Sequence, residues 1–196
     1  AYCGYKGFDN YSLYAVQVLG MNEVDGAKVT AYATYVRPVA AIAAGLIADR
    51  WAAGKTVGAC FVLLVISYGV LAVSMPVGAG LYIIYGNLFV SVAAVFMLRG
   101  VYFALLEENQ VPPYLTGAVA GAVSFIGFTP EIFFGPITGR ILDANPGPVG
   151  HQHYFLFLAV VATIGVAVVV WLLRLQHQNT ASLWTDAVEA SRQSTR

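Results

Sequence analysis

Long apolar runs separated by short polar breaks fill nearly the whole chain. Six runs are long enough to count: Ala1–Gly20, Val29–Ile47, Thr56–Met75, Leu81–Leu105, Tyr114–Ile141 and Tyr154–Leu173. About 20 apolar residues in a helix cross the hydrocarbon core of a bilayer, so each run predicts one membrane-crossing helix. The breaks have distinct characters. Asp49, Arg50 and Lys55 lie between the second and third runs. Pro76-Val77-Gly78-Ala79-Gly80 is a turn-like link. Glu107, Glu108, Asn109, Pro112 and Pro113 follow the fourth run. Asp143-Ala144-Asn145-Pro146-Gly147-Pro148 reads as a helix stop and a loop. Past Leu173 the chain turns polar, with a short surface helix expected from Ser182 to Glu189. The expected fold is all-α, with a six-helix transmembrane domain over residues 1–175 and a polar cytoplasmic tail over 176–196.

Composition agrees. Hydrophobic residues make up 59% of the chain and charged ones 10%, against about 45–50% and about 25% in soluble domains. Mean hydropathy is +0.72. Ten basic residues balance ten acidic ones, which removes nucleic acid as an expected partner and argues against a basic membrane-surface binder. The lipid bilayer is the expected surrounding. Cys3 and Cys60 fall in or beside apolar runs and read as small buried packers. The opening residues lack the basic start, apolar stretch and cleavage site of a signal peptide. The expectation is a chain that starts inside a helix, with a segment upstream.

Basic residues near the ends of the runs set an orientation. Arg50, Lys55, Arg99, Arg174, Arg192 and Arg196 share one side, and Lys28 and Arg140 share the other. The first side is therefore expected to be cytoplasmic, with both termini of this chain facing it. A bacterial inner membrane is the expected location.

Charges inside the runs sort by run. The first, second and fifth contain Lys6, Asp9, Arg37 and Glu131. The third and sixth contain none in their interiors, and the fourth none before Arg99. A bilayer core offers a charge no partner, so such residues mark polar pathways. The first, second and fifth spans are expected to face a polar interior, and the third and sixth to face lipid. Lys6 and Asp9, three positions apart, share a helical face. They form either a self-neutralising pair or part of a site, and Arg37 either pairs with Glu131 or meets a solute. As a site, Arg37 and Lys6 would bind a small anion, since the planar guanidinium grips an oxyanion in two parallel bonds. Asp9 or Glu131 would couple protons, because desolvation and nearby cations act in opposite senses on a carboxylate. Tyr5 and Asn87 are neutral candidates for the same cavity.

The stretch Gly45-Leu46-Ile47-Ala48-Asp49-Arg50-Trp51-Ala52-Ala53-Gly54-Lys55 resembles the signature loop of the major facilitator superfamily. That loop has Gly, then Asp-Arg four and five positions on, then a basic cluster. It joins the second and third helices of a six-helix half at the cytoplasmic face. Here Ala52-Ala53-Gly54 departs from the pattern, leaving Lys55 as the other cation. The resemblance implies a conformational latch made of Gly45, Asp49, Arg50 and Lys55. Gly45 would allow close helix approach, and Arg99 would meet Asp49, extended by Glu107.

The resemblance also implies the C-terminal half of a twelve-helix transporter, built as two inverted three-helix repeats. The missing N-terminal six-helix half would be a partner. Helices seven, eight, ten and eleven of that fold line the cavity, which matches the sorting of charges. Arg37 is similar in place to the substrate arginine of nitrate and nitrite carriers, but their glycine-rich signatures are not evident. Organic-anion carriers are the nearer resemblance.

In the fifth span, Gly117-x-x-x-Gly121 and Gly135-x-x-x-Gly139 suit tight helix packing, and Pro130 and Pro136 bend the helix. His151-Gln152-His153 has no completing ligand pattern, so no metal is expected. No enzyme motif appears, and no cofactor is expected. The expected function is secondary transport of a small organic anion by alternating access, coupled to protons as a symport. Three alternatives stand beside it. One is multidrug or neutral-solute efflux on the same fold. Another is a half-sized protein that dimerises. The third is a membrane enzyme or assembly subunit.

Overall fold

The computed structural model describes residues 2–74, 80–101, 104, 112 and 114–194, with side chains described at 4–74, 82–101, 104, 112 and 114–177. The described residues are helical almost throughout. In chain order the helices are α1 Tyr2–Asp9, α2 Tyr11–Gln17, α3 Glu23–Thr34, α4 Val36–Trp51, α5 Ala53–Val73, α6 Gly80–Val101, α7 Thr116–Phe128, α8 Pro130–Ala144 and α9 Pro148–Ser194.

Among the described residues, five stretches are long and apolar enough to cross a membrane: Glu23–Trp51, Ala53–Val73, Tyr82–Val101, Thr116–Ala144 and Pro148–His177. They correspond to the second through sixth runs of the sequence. The first run departs from expectation. It folds as two short helices, α1 and α2, that meet at Asn10, and is not among those five. The link Pro76–Ala79 and residues Glu107, Glu108, Asn109 and Pro113 lie outside the described residues.

The breaks inside the runs have local causes. Pro38 has no N–H to give the carbonyl of Thr34, four residues earlier, and the chain kinks at Tyr35, whose N–H bonds Tyr32 O at 3.1 Å instead. Pro130 opens α8 at a first-turn position, where its missing donor costs least. Its predecessor Thr129 shares its N–H between Phe125 O at 3.2 Å and Ile126 O at 3.3 Å. At Asn10 there is no proline.

Helix continuity follows the sorting of charges. The stretches broken at Asn10, Tyr35 and Thr129 carry Lys6, Asp9, Arg37 and Glu131, while α5 and α9 run unbroken and carry no ion in their membrane interiors. Asp9 ends α1, Arg37 lies in the first turn of α4 and Glu131 in the first turn of α8.

The core sits around α5. This helix packs against α9 along its length and against α6 on another side. Leu64, Tyr68, Val95 and Phe155 are its fully enclosed centre, with the Tyr68 and Phe155 rings stacked at 6.0 Å. The third span therefore does not simply face lipid. One face of α5 is enclosed, and Val62, Leu63, Ile66 and Val73 point outward from the other. By contrast only 11% of the apolar part of Glu23–Trp51 and 6% of that of Thr116–Ala144 is buried within the chain. The second and fifth spans thus leave most of their surface without a covering element among the described residues.

Two further expectations change. The tight packing expected at the stripe glycines Gly117, Gly121, Gly135 and Gly139, and the close approach expected at Gly45, are not made by the described residues, which leave nothing within 4 Å of an added Cβ. Close approach occurs at other glycines. A Cβ on Gly7 would lie 2.3 Å from Tyr68 Oη, and one on Gly100 would lie 3.4 Å from Ala41 Cα. The last helix also does not stop near Leu173. Its backbone stays helical to Ser194.

Candidate functional site

α1 is the element that gathers the charges. Its interhelical bonds fix it: Tyr68 of α5 donates its hydroxyl to Gly4 O, and Tyr154 of α9 donates to Lys6 O at 2.7 Å. Beyond the break, Tyr11 pairs with Ser91 of α6. His151 of α9 is buried, 1% exposed. Its Nε2 lies 2.8 Å from Gln17 Oε1 and its Nδ1 3.5 Å from Asn10 Nδ2. A single tautomer, protonated at Nε2, satisfies both. His151 therefore holds the break and the end of α2, a role that the His-Gln-His pattern does not announce. Among the described residues no three metal-ligating side chains come together.

With α1 fixed, Lys6 Nζ lies 3.2 Å from Asp9 Oδ2 on the same helix and 3.4 Å from Glu131 Oε1 on α8. Lys6 is 24% exposed at its side chain, Asp9 39% and Glu131 60%. One ammonium thus faces two carboxylates. The positive end of the α8 dipole also attracts the charge of Glu131 in its first turn. Lys6–Asp9 follows from sequence spacing. The partner of Glu131 is Lys6 rather than Arg37.

Arg37 lies on the other side of the aromatic cluster that surrounds α1. Its guanidinium sits over the Phe96 ring at 5.9 Å. Phe96 meets Phe8 edge-on at 5.4 Å, and Phe8 meets Tyr5 at 5.6 Å. Arg99 sits over Tyr5 at 4.7 Å. Arg37 and Arg99 are both exposed. Tyr5 and Lys6 both lie on α1, and Arg37 reaches the same cluster only through Phe96.

Asn87 is placed elsewhere. Its amide donates to Ser67 O at 2.9 Å and its Oδ1 accepts from Ser67 Oγ at 2.8 Å. The pair ties α6 to α5, so both ends of the Asn87 amide are engaged with the third span.

The expected meeting of Asp49 with Arg99 does not occur among the described residues, whose ion pairs are Lys6–Asp9, Lys6–Glu131 and Lys28–Asp25. Arg99 is drawn to Tyr5 instead. Glu107, the suggested extension, lies outside the described residues. Gly45, Asp49, Arg50 and Lys55 are all exposed at the junction of α4 and α5. Ala52 makes that junction with φ +76° and ψ 145°, a backbone region suited to glycine.

Relatives agree with the five apolar helices. Inner membrane protein YihN of Escherichia coli (strain K12) is 31% identical over 136 residues, covering 66% of this chain and 31% of that protein. Inner membrane protein YqcE of the same organism is 32% identical over 108 residues, covering 55% of this chain and 24% of that protein. The chain is an integral inner membrane protein. It spans less than a third of the length of either relative. No family model matches the chain, and no solved structure matches it.

Two features of the site escape sequence reading. His151 as the anchor of the α1–α2 break is one. Arg99 beside Tyr5 is the other, and its signal was present only as an arginine one helical turn from Phe96.

Proposed function

We propose that the chain is the C-terminal half of a secondary transporter of the major facilitator type, moving a small organic anion by alternating access with proton coupling. The reading rests on the loop Gly45–Lys55 and on one structural observation: Lys6 held between Asp9 and Glu131 where two helices break. Discontinuous helices near a membrane midplane expose backbone groups and charges to a solute. Broken backbone at that depth persists beside protein or a wet cavity.

In this mechanism Arg37 binds the anion, since its planar fork suits an oxyanion. Asp9 and Glu131 hold Lys6 in the proton-free state. Protonation of Glu131 removes one of its two counter-charges, and the ammonium turns toward the anion. Anion and proton then favour each other's binding. The sparsely covered second and fifth spans are the surfaces against which the other six helices would pack. The longer relatives are consistent with such a second half.

The same cluster also supports a second reading. Two carboxylates against one ammonium leave a net negative group, which would suit a cationic or neutral solute on the same fold.

Thermal stabilisation of the full-length protein by a panel of small anions tests the choice. Stabilisation present in the wild type and lost in Arg37→Gln supports the anion reading. No stabilisation by any anion moves the assignment to a cationic or neutral solute anchored on Glu131 and Asp9.

A further inference from the structure

α4 and α6 run side by side in the same direction. Gly100 approaches Ala41 closely enough that a Cβ would meet Ala41 Cα at 3.4 Å. Four residues earlier on both helices, Arg37 lies over Phe96 at 5.9 Å. This matched register carries Arg37 to the face of α6 that holds Phe96 and, one turn on, Arg99. Arg99 in turn lies over Tyr5 of α1. The rings of Tyr5, Phe8 and Phe96 touch in sequence. A single aromatic cluster therefore seats two guanidinium groups.

Charge separates these arginines from Lys6. Lys6 faces two carboxylates, whereas neither Arg37 nor Arg99 has a carboxylate within 4 Å among the described residues. Cation–π contact holds a guanidinium without neutralising it. An arginine seated over a ring keeps in-plane N–H donors at its rim for an oxyanion. The two guanidiniums sit over different rings of one cluster, Phe96 and Tyr5, and an anion shared between two like charges relieves their repulsion.

We propose that Arg99 is the second anion ligand beside Arg37, and that the pair takes a small oxyanion with two negative charges, a phosphate monoester or a dicarboxylate. The proposal rests on the transport reading above and names its substrate class. Lys6 then serves coupling, and the two guanidiniums serve recognition. A lipid headgroup phosphate shares this chemistry, so the test separates it from a soluble solute.

The experiment is isothermal titration of the full-length protein in neutral detergent with succinate, inorganic phosphate and acetate at constant ionic strength. It is run on the wild type, Arg37→Gln, Arg99→Gln and Arg99→Lys, each checked by its unliganded melting temperature. Succinate or phosphate is expected to bind the wild type, with acetate at least about tenfold weaker, the usual scale for one lost charge-assisted contact. Arg37→Gln and Arg99→Gln should each weaken the divalent anion by about tenfold or more on the same grounds. Should Arg99→Gln fail to fold, Arg99→Lys decides. It keeps the charge and loses the fork, and is expected to bind more weakly than wild type.

Wild-type affinity in a folded Arg99→Gln, or in Arg99→Lys when it is the variant that decides, combined with loss in Arg37→Gln, overturns the Arg99 assignment and leaves the anion reading standing. Absence of binding by any soluble anion overturns both. Stabilisation by nanodiscs of anionic phospholipid, with no soluble dianion bound, assigns the pair to headgroups and overturns the proposal.

Discussion

Lys6 on α1 and Glu131 on α8 lie 125 positions apart in the chain, with Nζ 3.4 Å from Oε1. The contact joins two broken stretches of helix, one ending at Asp9 and one beginning at Pro130. It makes the first and fifth runs of the sequence electrostatically dependent on each other. A rearrangement of either break changes the counter-charge seen by Lys6.

Glu131→Gln tests whether that dependence does work. The amide keeps the shape and removes the charge and the titration. Uptake by the full-length protein should lose most of its pH dependence while the protein remains folded. An unchanged pH profile would reduce the Lys6–Glu131 pair to a structural contact.

Asn87→Ala separates packing from binding. The amide bridges α6 to Ser67 on α5 through two side-chain bonds. Interhelical polar contacts in membranes contribute about 0.6 to 2 kcal/mol. The variant should melt at a lower temperature with anion affinity unchanged. Loss of affinity at unchanged melting temperature would make Asn87 a ligand instead.

Much of this was legible in the sequence, for identifiable reasons. The second to sixth spans follow from apolar length. The break at Thr129 follows from Pro130, because a proline acts on its own helix, whereas the break at Tyr35, three residues before Pro38, was not anticipated. The break at Asn10 was not legible, since its partner His151 comes from α9, 141 positions along the chain. Lys6–Asp9 followed from spacing on one helix, whereas the choice between Lys6 and Arg37 as partner of Glu131 depended on which helices neighbour each other. The glycine stripes misled for a related reason. Gly117 and Gly121 permit close approach, but nothing among the described residues lies within 4 Å of a Cβ placed there. Gly7 and Gly100, which stand in no stripe, are the ones approached.

The glycines give a paired measurement. In Gly7→Ala the new Cβ would lie 2.3 Å from the buried Tyr68 Oη, so the ring must move. Overpacking of this kind costs about 1–3 kcal/mol. In Gly45→Ala the Cβ meets nothing within 4 Å. Melting curves in detergent should show a clear fall for Gly7→Ala and none for Gly45→Ala. A fall for Gly45→Ala would show that another element covers that face.

Ala52 offers a stabilising change. At φ +76° it holds a backbone region that costs a side-chain-bearing residue about 1–3 kcal/mol. Ala52→Gly should raise the melting temperature, partly offset by the greater freedom of glycine in the unfolded chain. An unchanged or lower melting temperature would indicate that the junction between α4 and α5 relaxes at little cost.

The most direct measurement is proton movement driven by an anion. The full-length protein in proteoliposomes loaded with a pH-sensitive dye receives, in turn, each anion that stabilises it. The wild type should acidify the lumen as anion enters. Arg37→Gln should show no movement of either species, and Glu131→Gln should bind anion without moving protons. Anion uptake with no change in luminal pH, equal in wild type and Glu131→Gln, would contradict the coupling of the two helix breaks through Lys6.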